Sequence, residues 1–106
     1  MVARPITESQ FASAVEDALT TFGWRWTHFR PARTAHGYRT PLSGHKGFPD
    51  YVAVRPPRVV FLELKSDKGK ETEDQMDWKM VLRTCRGVEY HLWRPRDWDD
   101  VQAVLR

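Results

Sequence analysis

Glu63 and Lys65 are charged residues that interrupt an apolar run in the segment FLELKS. Residues two apart in an extended chain point to the same side of a sheet, so the carboxylate and the ammonium group share one face. The apolar residues that alternate with them, Val60, Leu62 and Leu64, are expected to face the core. The charged face is then either a solvent-facing ion pair, worth roughly 0 to 1 kcal/mol, or part of an active site.

Asp50 begins the preceding strand and brings a second carboxylate to this face. If the two strands pair around Pro56-Pro57, Asp50 and Glu63 lie at the same level of the hairpin. Two carboxylates held close raise each other's pKa, and a hard divalent cation, which prefers oxygen ligands, removes that cost. Because Lys65 can offset charge and orient or activate a water, the three residues have the chemistry that phosphodiester hydrolysis requires.

Capping signals and hydrophobic spacing define the elements that must position these side chains. Thr7 and Gln10 form a capping box and Gly23 is a natural stop, which predicts a helix over residues 8–22. We further predict strands over residues 24–30, 50–55 and 58–65, a helix after Thr72, a strand VEYHLW and a short terminal helix capped by Asp97. This order predicts one α/β (α+β) domain over residues 1–106, with helices against a mixed sheet.

The second helix and the segment before Asp50 carry further expectations. The residues that share one face of that helix, and are predicted to pack inward, are Trp78, Val81, Leu82 and Cys85, with Gly87 ending the helix. Met76 and Met80 lie off this face and are candidates for a subunit interface, as is the long loop before Asp50. Residues 31–47 are rich in proline, glycine and basic residues, which predicts a long loop.

The composition is typical of one folded domain, with 106 residues of which 41% are hydrophobic. No apolar run approaches the roughly 20 residues that span a bilayer, and the segment MVARPITESQ has no apolar signal-peptide region. A single cysteine, Cys85, excludes an internal disulfide and a cysteine metal cluster. We therefore expect a cytoplasmic protein without membrane contact.

The positive charge is concentrated in one part of the chain. The formal net charge is +3, and no Asp or Glu occurs from Ala18 to Pro49. A positive segment with aromatic residues can contact a phosphate backbone, although a solvated basic loop is the alternative. The residues that we predict to bind nucleic acid are Arg30, Arg33, Arg39 and Lys46. His28 is a further candidate, although a histidine at such a position is more often an ordinary strand residue.

The arrangement of these residues resembles a known signature. GFPD at residues 47–50, followed after twelve residues by ELK at residues 63–65, is similar to the PD-(D/E)XK nuclease motif. ESQF at the first helix, Gln75 in ELKSDKGKETEDQ and the ending YHLWRPRDWDDVQAVL resemble the VRR-NUC branch in its small stand-alone form of phages and bacteria. The similarity runs from Thr7 to Leu105, but the segment from His28 to Gly47 is longer than the link expected in this branch.

The resemblance implies a restriction-endonuclease-like αβββαβ core, and Mg²⁺ or Mn²⁺ as the cofactor. The metal ligands that it implies are Asp50, Glu63 and the backbone carbonyl of Leu64, with Glu8 as an additional candidate. The catalytic residues that it implies are Asp50, Glu63, Lys65, Gln75 and Glu8. Stand-alone members resemble Holliday junction resolvases and act as homodimers on branched DNA. We therefore expect a homodimeric DNA endonuclease that is selective for branched DNA or four-way junctions.

Simpler interpretations exist for several of these residues. Glu8 is also explained as an acid at a helix N-terminus, and Glu16 is a rival for the first-helix acid. Gln75 could serve only to complete a capping box with Thr72. The rival function is a module that binds nucleic acid or a partner protein without cleaving it, and cleavage of RNA is a third hypothesis.

Overall fold

The computed structural model describes residues 7–29 and 42–106, together with the backbone of residues 32–34 and 37–39 between them. The helices are α1 (Glu8–Thr21), α2 (Glu73–Arg83) and α3 (Trp98–Leu105), the last preceded by a 3₁₀ turn at Pro95–Asp97. The strands are β1 (Arg25–His28), β2 (Ala32–Thr34), β3 (Gly37–Arg39), β4 (Tyr51–Arg55), β5 (Arg58–Leu64) and β6 (Glu89–Trp93). Among the described residues, no helix is long and apolar enough to cross a membrane.

Four strands form one mixed sheet in the order β1-β4-β5-β6. The first two pairings are antiparallel, and β5 pairs with β6 in parallel, which α2 makes feasible as the crossover between them. The predicted fold class is therefore confirmed as a mixed α/β domain, with helices flanking a mixed sheet and a short C-terminal helix. The predicted long loop is wrong in part, because β2 and β3 pair as a separate antiparallel hairpin.

The core lies between one face of this sheet and helices α1 and α3. The inward positions of the strands supply Tyr51, Ala53, Val60, Leu62, Leu64 and Trp93, and the helices supply Phe11, Val15, Leu19, Val101 and Leu105. The Thr7 hydroxyl accepts from the Gln10 backbone N–H at 3.0 Å, so the predicted capping box does start α1. The strand alternation predicted for β5 is thus confirmed for its apolar face.

The far end of the β4–β5 hairpin is fixed by two arginines. Arg55 and Arg58 place their guanidinium groups 4.5 Å and 4.9 Å from the centre of the Trp24 ring. Arg55 also donates to the Leu105 carbonyl at 3.1 Å, and Arg58 donates to the Val104 carbonyl at 3.0 Å. These contacts tie the hairpin turn to the end of α3 and leave the opposite end of the hairpin to form the site.

Helix α2 packs on the other face of the sheet, in an orientation that differs from the predicted one. Val81 is 58% exposed and Cys85 is exposed, so their predicted burial is wrong, and the helix ends at Arg83 rather than near Gly87. The inward positions belong to Gln75, Trp78, Lys79 and Leu82. Two of these residues are polar. They face inward because Gln75 donates a hydrogen bond to Glu63 and Lys79 donates one to Glu71. Polar contacts, and not the apolar stripe alone, therefore set the rotation of this helix.

The 3₁₀ turn alters the role predicted for Asp97. Asp97 stands at the N-cap position of α3, but its side chain makes no hydrogen bond to the first turn of that helix. Its carboxylate instead accepts from the Arg94 backbone N–H at 2.8 Å. Asp97 therefore closes the turn that joins β6 to α3.

Candidate active site

The β4–β5 register brings Asp50 and Glu63 to the same level. Tyr51 pairs with Leu62, so the preceding residue, Asp50, lies opposite Glu63 on the face that carries α2. The Asp50 carboxylate accepts from the Leu64 backbone N–H at 3.1 Å, and the Asp50 carbonyl accepts from the Phe29 N–H at 2.8 Å. Asp50 is therefore held by both neighbouring strands.

Glu63 is the only charged side chain that is buried among the residues that the structure describes, with 2% of its surface exposed. The pKa of Glu63 is raised from 4.5 to about 8. The largest cause is burial, the second is the negative charge of Asp50, and the positive charge of Lys65 opposes the shift. A side-chain hydrogen bond with Asp50 also raises this pKa. A buried acid beside another acid is costly for stability, which is typical of a functional position.

Lys65 extends the same face beyond the end of β5. Its backbone N–H donates to the Trp93 carbonyl at 3.0 Å, which continues the parallel ladder by one residue. Its ammonium nitrogen lies 3.7 Å from Glu63 Oε2, and its side chain is only 15% exposed. The lysine is therefore fixed at its backbone by β6 and directed at its tip toward the two carboxylates.

Gln75 reaches the site from the first turn of α2 and uses both ends of its amide. Its Nε2 donates to Glu63 Oε2 at 3.2 Å. Its Oε1 accepts from the Thr72 N–H at 2.9 Å, within the predicted capping box. The two interpretations of Gln75 in the sequence are thus compatible, since one side chain starts the helix and orients the buried carboxyl.

Arg94 is a residue near the site that sequence reasoning missed. Its guanidinium donates to the Ser66 carbonyl at 2.7 Å and to the Gly69 carbonyl at 2.6 Å. These bonds hold the turn that follows Lys65. The only sequence signal was an arginine directly after a predicted strand, and that signal does not identify the turn that it contacts.

Tyr90 and Glu71 form a second part of the site that the sequence did not reveal. Burial, and next the charges of Glu63 and Glu71, raise the pKa of the Tyr90 hydroxyl, so the hydroxyl stays protonated. Glu71 Oε1 accepts from Lys79 at 2.8 Å, while its Oε2 is buried and has no hydrogen-bond partner among the described residues. Tyr90 therefore lies within the electrostatic reach of both Glu63 and Glu71.

Glu8 is exposed at the start of α1, and among residues 7–29 and 42–106 it has no hydrogen bond or ion pair with Asp50 or Glu63. Glu16, about 12 Å further along the helix, accepts from the Tyr51 hydroxyl at 2.5 Å. His28 stacks on Tyr51 with ring centroids 4.1 Å apart and lies 3.4 Å from Glu16. These three side chains contact each other on the sheet face opposite Glu63.

The residues predicted to bind nucleic acid are only partly described. Arg30 lies outside the described residues. The side chains of Arg33 and Arg39 are also outside the described part of the structure. Lys46 is described, and its side chain is 78% exposed and lies 3.6 Å from Asp74 Oδ2. Only Lys46 and His28 can therefore be located relative to Asp50.

The oxygen donors at Asp50 and Glu63 are of the kind that a hard cation prefers. No group of three or more His, Cys, Asp or Glu residues that could hold a metal ion occurs in the described part of the chain. Comparison with protein-family models, with curated proteins and with solved structures gave no match. Any function for this site is therefore inferred from its residues and their geometry.

Proposed function

We propose that the chain is a metal-dependent DNA endonuclease of the PD-(D/E)XK type, with a restriction-endonuclease-like core resembling the VRR-NUC branch. One observation carries the proposal: the buried carboxyl of Glu63 lies opposite Asp50 and contacts both Lys65 and Gln75. An ordinary surface ion pair would be solvated, and a purely structural strand would place an apolar side chain at a position that is 2% exposed.

The raised pKa of Glu63 supports a cation at this position. Asp50 and Glu63 would supply two carboxylate ligands for Mg²⁺ or Mn²⁺, and the cation would relieve their mutual repulsion. The Leu64 carbonyl is a third candidate, because the N–H and C=O of one strand residue lie on the same edge and the Leu64 N–H faces Asp50. When bound, the cation would lower the pKa of a water and offset charge on the phosphate.

The protein's own side chains supply the other requirements of hydrolysis. A water oxygen must form a bond to phosphorus while the bond to the leaving oxygen breaks, and negative charge develops on the phosphate. Lys65 offers a fixed positive charge and hydrogen-bond donors beside the carboxylates. Gln75 donates to Glu63 and holds its carboxyl in one orientation. Glu8 keeps its candidate role as the acid of the first helix.

The proposed substrate is branched DNA or a four-way junction. The segment without Asp or Glu, from Ala18 to Pro49, leads directly to Asp50, so its basic side chains can contact the backbone on either side of the cleaved phosphate. Cutting a junction symmetrically needs two sites related by a two-fold axis, which a homodimer provides. In this proposal the protein works in the cytoplasm of a bacterium or a phage-infected cell.

A module that binds nucleic acid or a partner protein without cleaving it is the second candidate. It is favoured by the limited donor set, because no third His, Cys, Asp or Glu ligand joins Asp50 and Glu63 among the described residues. Titration with Mn²⁺ by calorimetry separates the two functions. We expect binding that is lost in Glu63→Gln, and its absence in the unmodified protein would favour the module.

The direct test is cleavage of a four-way junction, a flap and a plain duplex in the presence of Mg²⁺. We expect the unmodified protein to cleave the branched substrates in preference to the plain duplex, and Glu63→Gln and Lys65→Ala to cleave none of the three. Glu89→Gln is the matched control, since Glu89 is another acid of the sheet, but it is only half-buried and pairs with Arg58 at 2.7 Å, away from the site. Unchanged cleavage in Glu63→Gln and Lys65→Ala would overturn the proposal.

A further inference from the structure

A groove of about 1020 Å³ opens beside Asp50, and its lining includes apolar side chains that a small protein normally buries. Phe29 is 47% exposed, Leu42 is 50% exposed and Phe48 is 37% exposed. The Phe48 ring packs edge-on against Phe29, with centroids 5.5 Å apart, and against Trp78 at 4.9 Å. An exposed apolar patch that adjoins a candidate active site indicates a binding surface. We refer to it as the aromatic groove.

The wall of the aromatic groove is held by contacts to α2. Trp78 Nε1 donates to the carbonyls of His45 and Lys46, at 3.3 Å and 3.1 Å. Gly47 has a φ of +90°, and a Cβ at this position would lie 2.6 Å from the backbone carbon of Asp74. Residues 45–47 therefore lie directly against α2, and these contacts hold the wall of the groove in place, which reduces the entropic cost of binding.

The surfaces and charges of the groove match a nucleotide. Aromatic rings stack on any nucleobase, because every base has a π-face. Lys46 lines the same groove with a side chain that is 78% exposed, and no Asp or Glu precedes Asp50 back to Ala18. The Lys46 ammonium group lies 3.6 Å from Asp74 Oδ2 but remains largely exposed, so it can also contact a phosphate that flanks a stacked base.

The position of Phe29 relates the groove to the proposed site of cleavage. The Phe29 N–H donates to the Asp50 carbonyl, so the two residues are neighbours across the ladder, with Cα atoms roughly 5 Å apart. A base that stacks on Phe29 therefore belongs to a nucleotide adjacent to the phosphate at Asp50. Inside a duplex both faces of a base are covered by its neighbours, and only a base that has left the stack can enter a groove.

We propose that the aromatic groove binds an unpaired DNA nucleotide next to the cleaved phosphate, so that the preferred substrate carries a single-stranded segment at the site. This inference rests on the proposed nuclease function and defines its substrate class more narrowly. Phe29 acts as a stacking residue, and Lys46 contacts the neighbouring phosphate.

The test is equilibrium binding by fluorescence anisotropy without divalent cations, so that no cleavage is required. Three probes share one duplex: a blunt end, an unpaired overhang, and an overhang of equal length that lacks its bases. We expect the intact overhang to bind more tightly than the abasic one. Phe29→Leu should weaken binding to the intact overhang roughly 5- to 150-fold, the range found for loss of one stacked base. Phe29→Tyr keeps the aromatic ring and should bind like the unmodified protein.

Equal affinity of the unmodified protein for the intact and abasic overhangs would overturn the inference, and this comparison needs no variant to fold. It is also overturned if Phe29→Leu weakens binding to all three probes alike. Sedimentation tests whether the groove instead binds a second copy of the chain. Self-association of the unmodified protein that is lost in Phe29→Leu would also overturn the inference. Failure of the nuclease proposal is distinguishable, because it appears as absent cleavage with Mg²⁺ while the preference for unpaired bases persists.

Discussion

Replacing Glu63 with glutamine should stabilise the metal-free protein at alkaline pH and change little at acid pH. In the folded chain the pKa of Glu63 is raised from 4.5 to about 8, mainly by burial and by Asp50. An acid whose pKa is raised by folding binds more protons in the folded state, so stability falls as pH rises between these two values. Glutamine cannot ionise and keeps nearly the same shape, so the variant lacks this loss.

The magnitude follows from the size of the shift. One pKa unit corresponds to about 1.4 kcal/mol, so a shift from 4.5 to about 8 gives a difference of about 5 kcal/mol above pH 8. This is an upper value, because the buried pair can relax or admit water when it ionises. A domain of this size unfolds with a free energy of about 5–15 kcal/mol. The effect is therefore a large share of the total stability.

Urea denaturation of both proteins in a chelating buffer, at several pH values from 4 to 9, measures this difference. We expect the variant and the unmodified protein to have similar unfolding free energies near pH 4, with the gap widening up to pH 8. Addition of Mg²⁺ at pH 8 should close the gap by stabilising only the unmodified protein. A difference that stays constant with pH would refute the reasoning, because it would show that Glu63 does not change its protonation state on folding.

Three further substitutions test other parts of the site. Gln75→Glu can keep the capping box but places a carboxylate against Glu63, so cleavage should fall while circular dichroism shows α2 retained; unchanged cleavage contradicts this. Arg94→Lys removes a forked contact to two carbonyls and should lower the unfolding free energy by about 1–3 kcal/mol and slow cleavage, with DNA binding unchanged in anisotropy. Gly47→Ala should destabilise by about 1–3 kcal/mol more than Gly44→Ala in urea denaturation, since both have positive φ but only Gly47 lies against Asp74; equal losses would argue against that contact.

The parts of the fold with local signals were predictable from the sequence. Capping boxes at Thr7 and Thr72 predicted the starts of α1 and α2, and both form. The turn at Pro56-Pro57 sets the register of the hairpin, so the sequence is sufficient to predict that Asp50 and Glu63 lie at the same level. Local chemistry decides these features, so a short stretch of sequence contains what is needed.

The features that depend on distant partners were not predictable. The rotation of α2 was mispredicted because Lys79 faces inward to bond Glu71, and nothing in the helix sequence marks a lysine as an inward residue. Arg94 contacts a turn some 25 residues earlier in the chain, at Gly69. The exposure of Phe29 also depends on how the rest of the chain packs around it, which no local pattern in the sequence indicates. Such contacts exist only once the whole sheet has formed.

The Gln75 side chain bonds both the N-terminus of α2 and Glu63, so fraying of that helix end affects the site. Because Oε1 accepts from the Thr72 N–H while Nε2 donates to Glu63, an exchange of the two amide atoms would break both bonds. Fraying of the first turn of α2 would therefore remove the Gln75 hydrogen bond from the Glu63 carboxyl in the same event. The rate of hydrogen exchange at the Thr72 N–H would then measure how often Gln75 loses its bond to the Glu63 carboxyl.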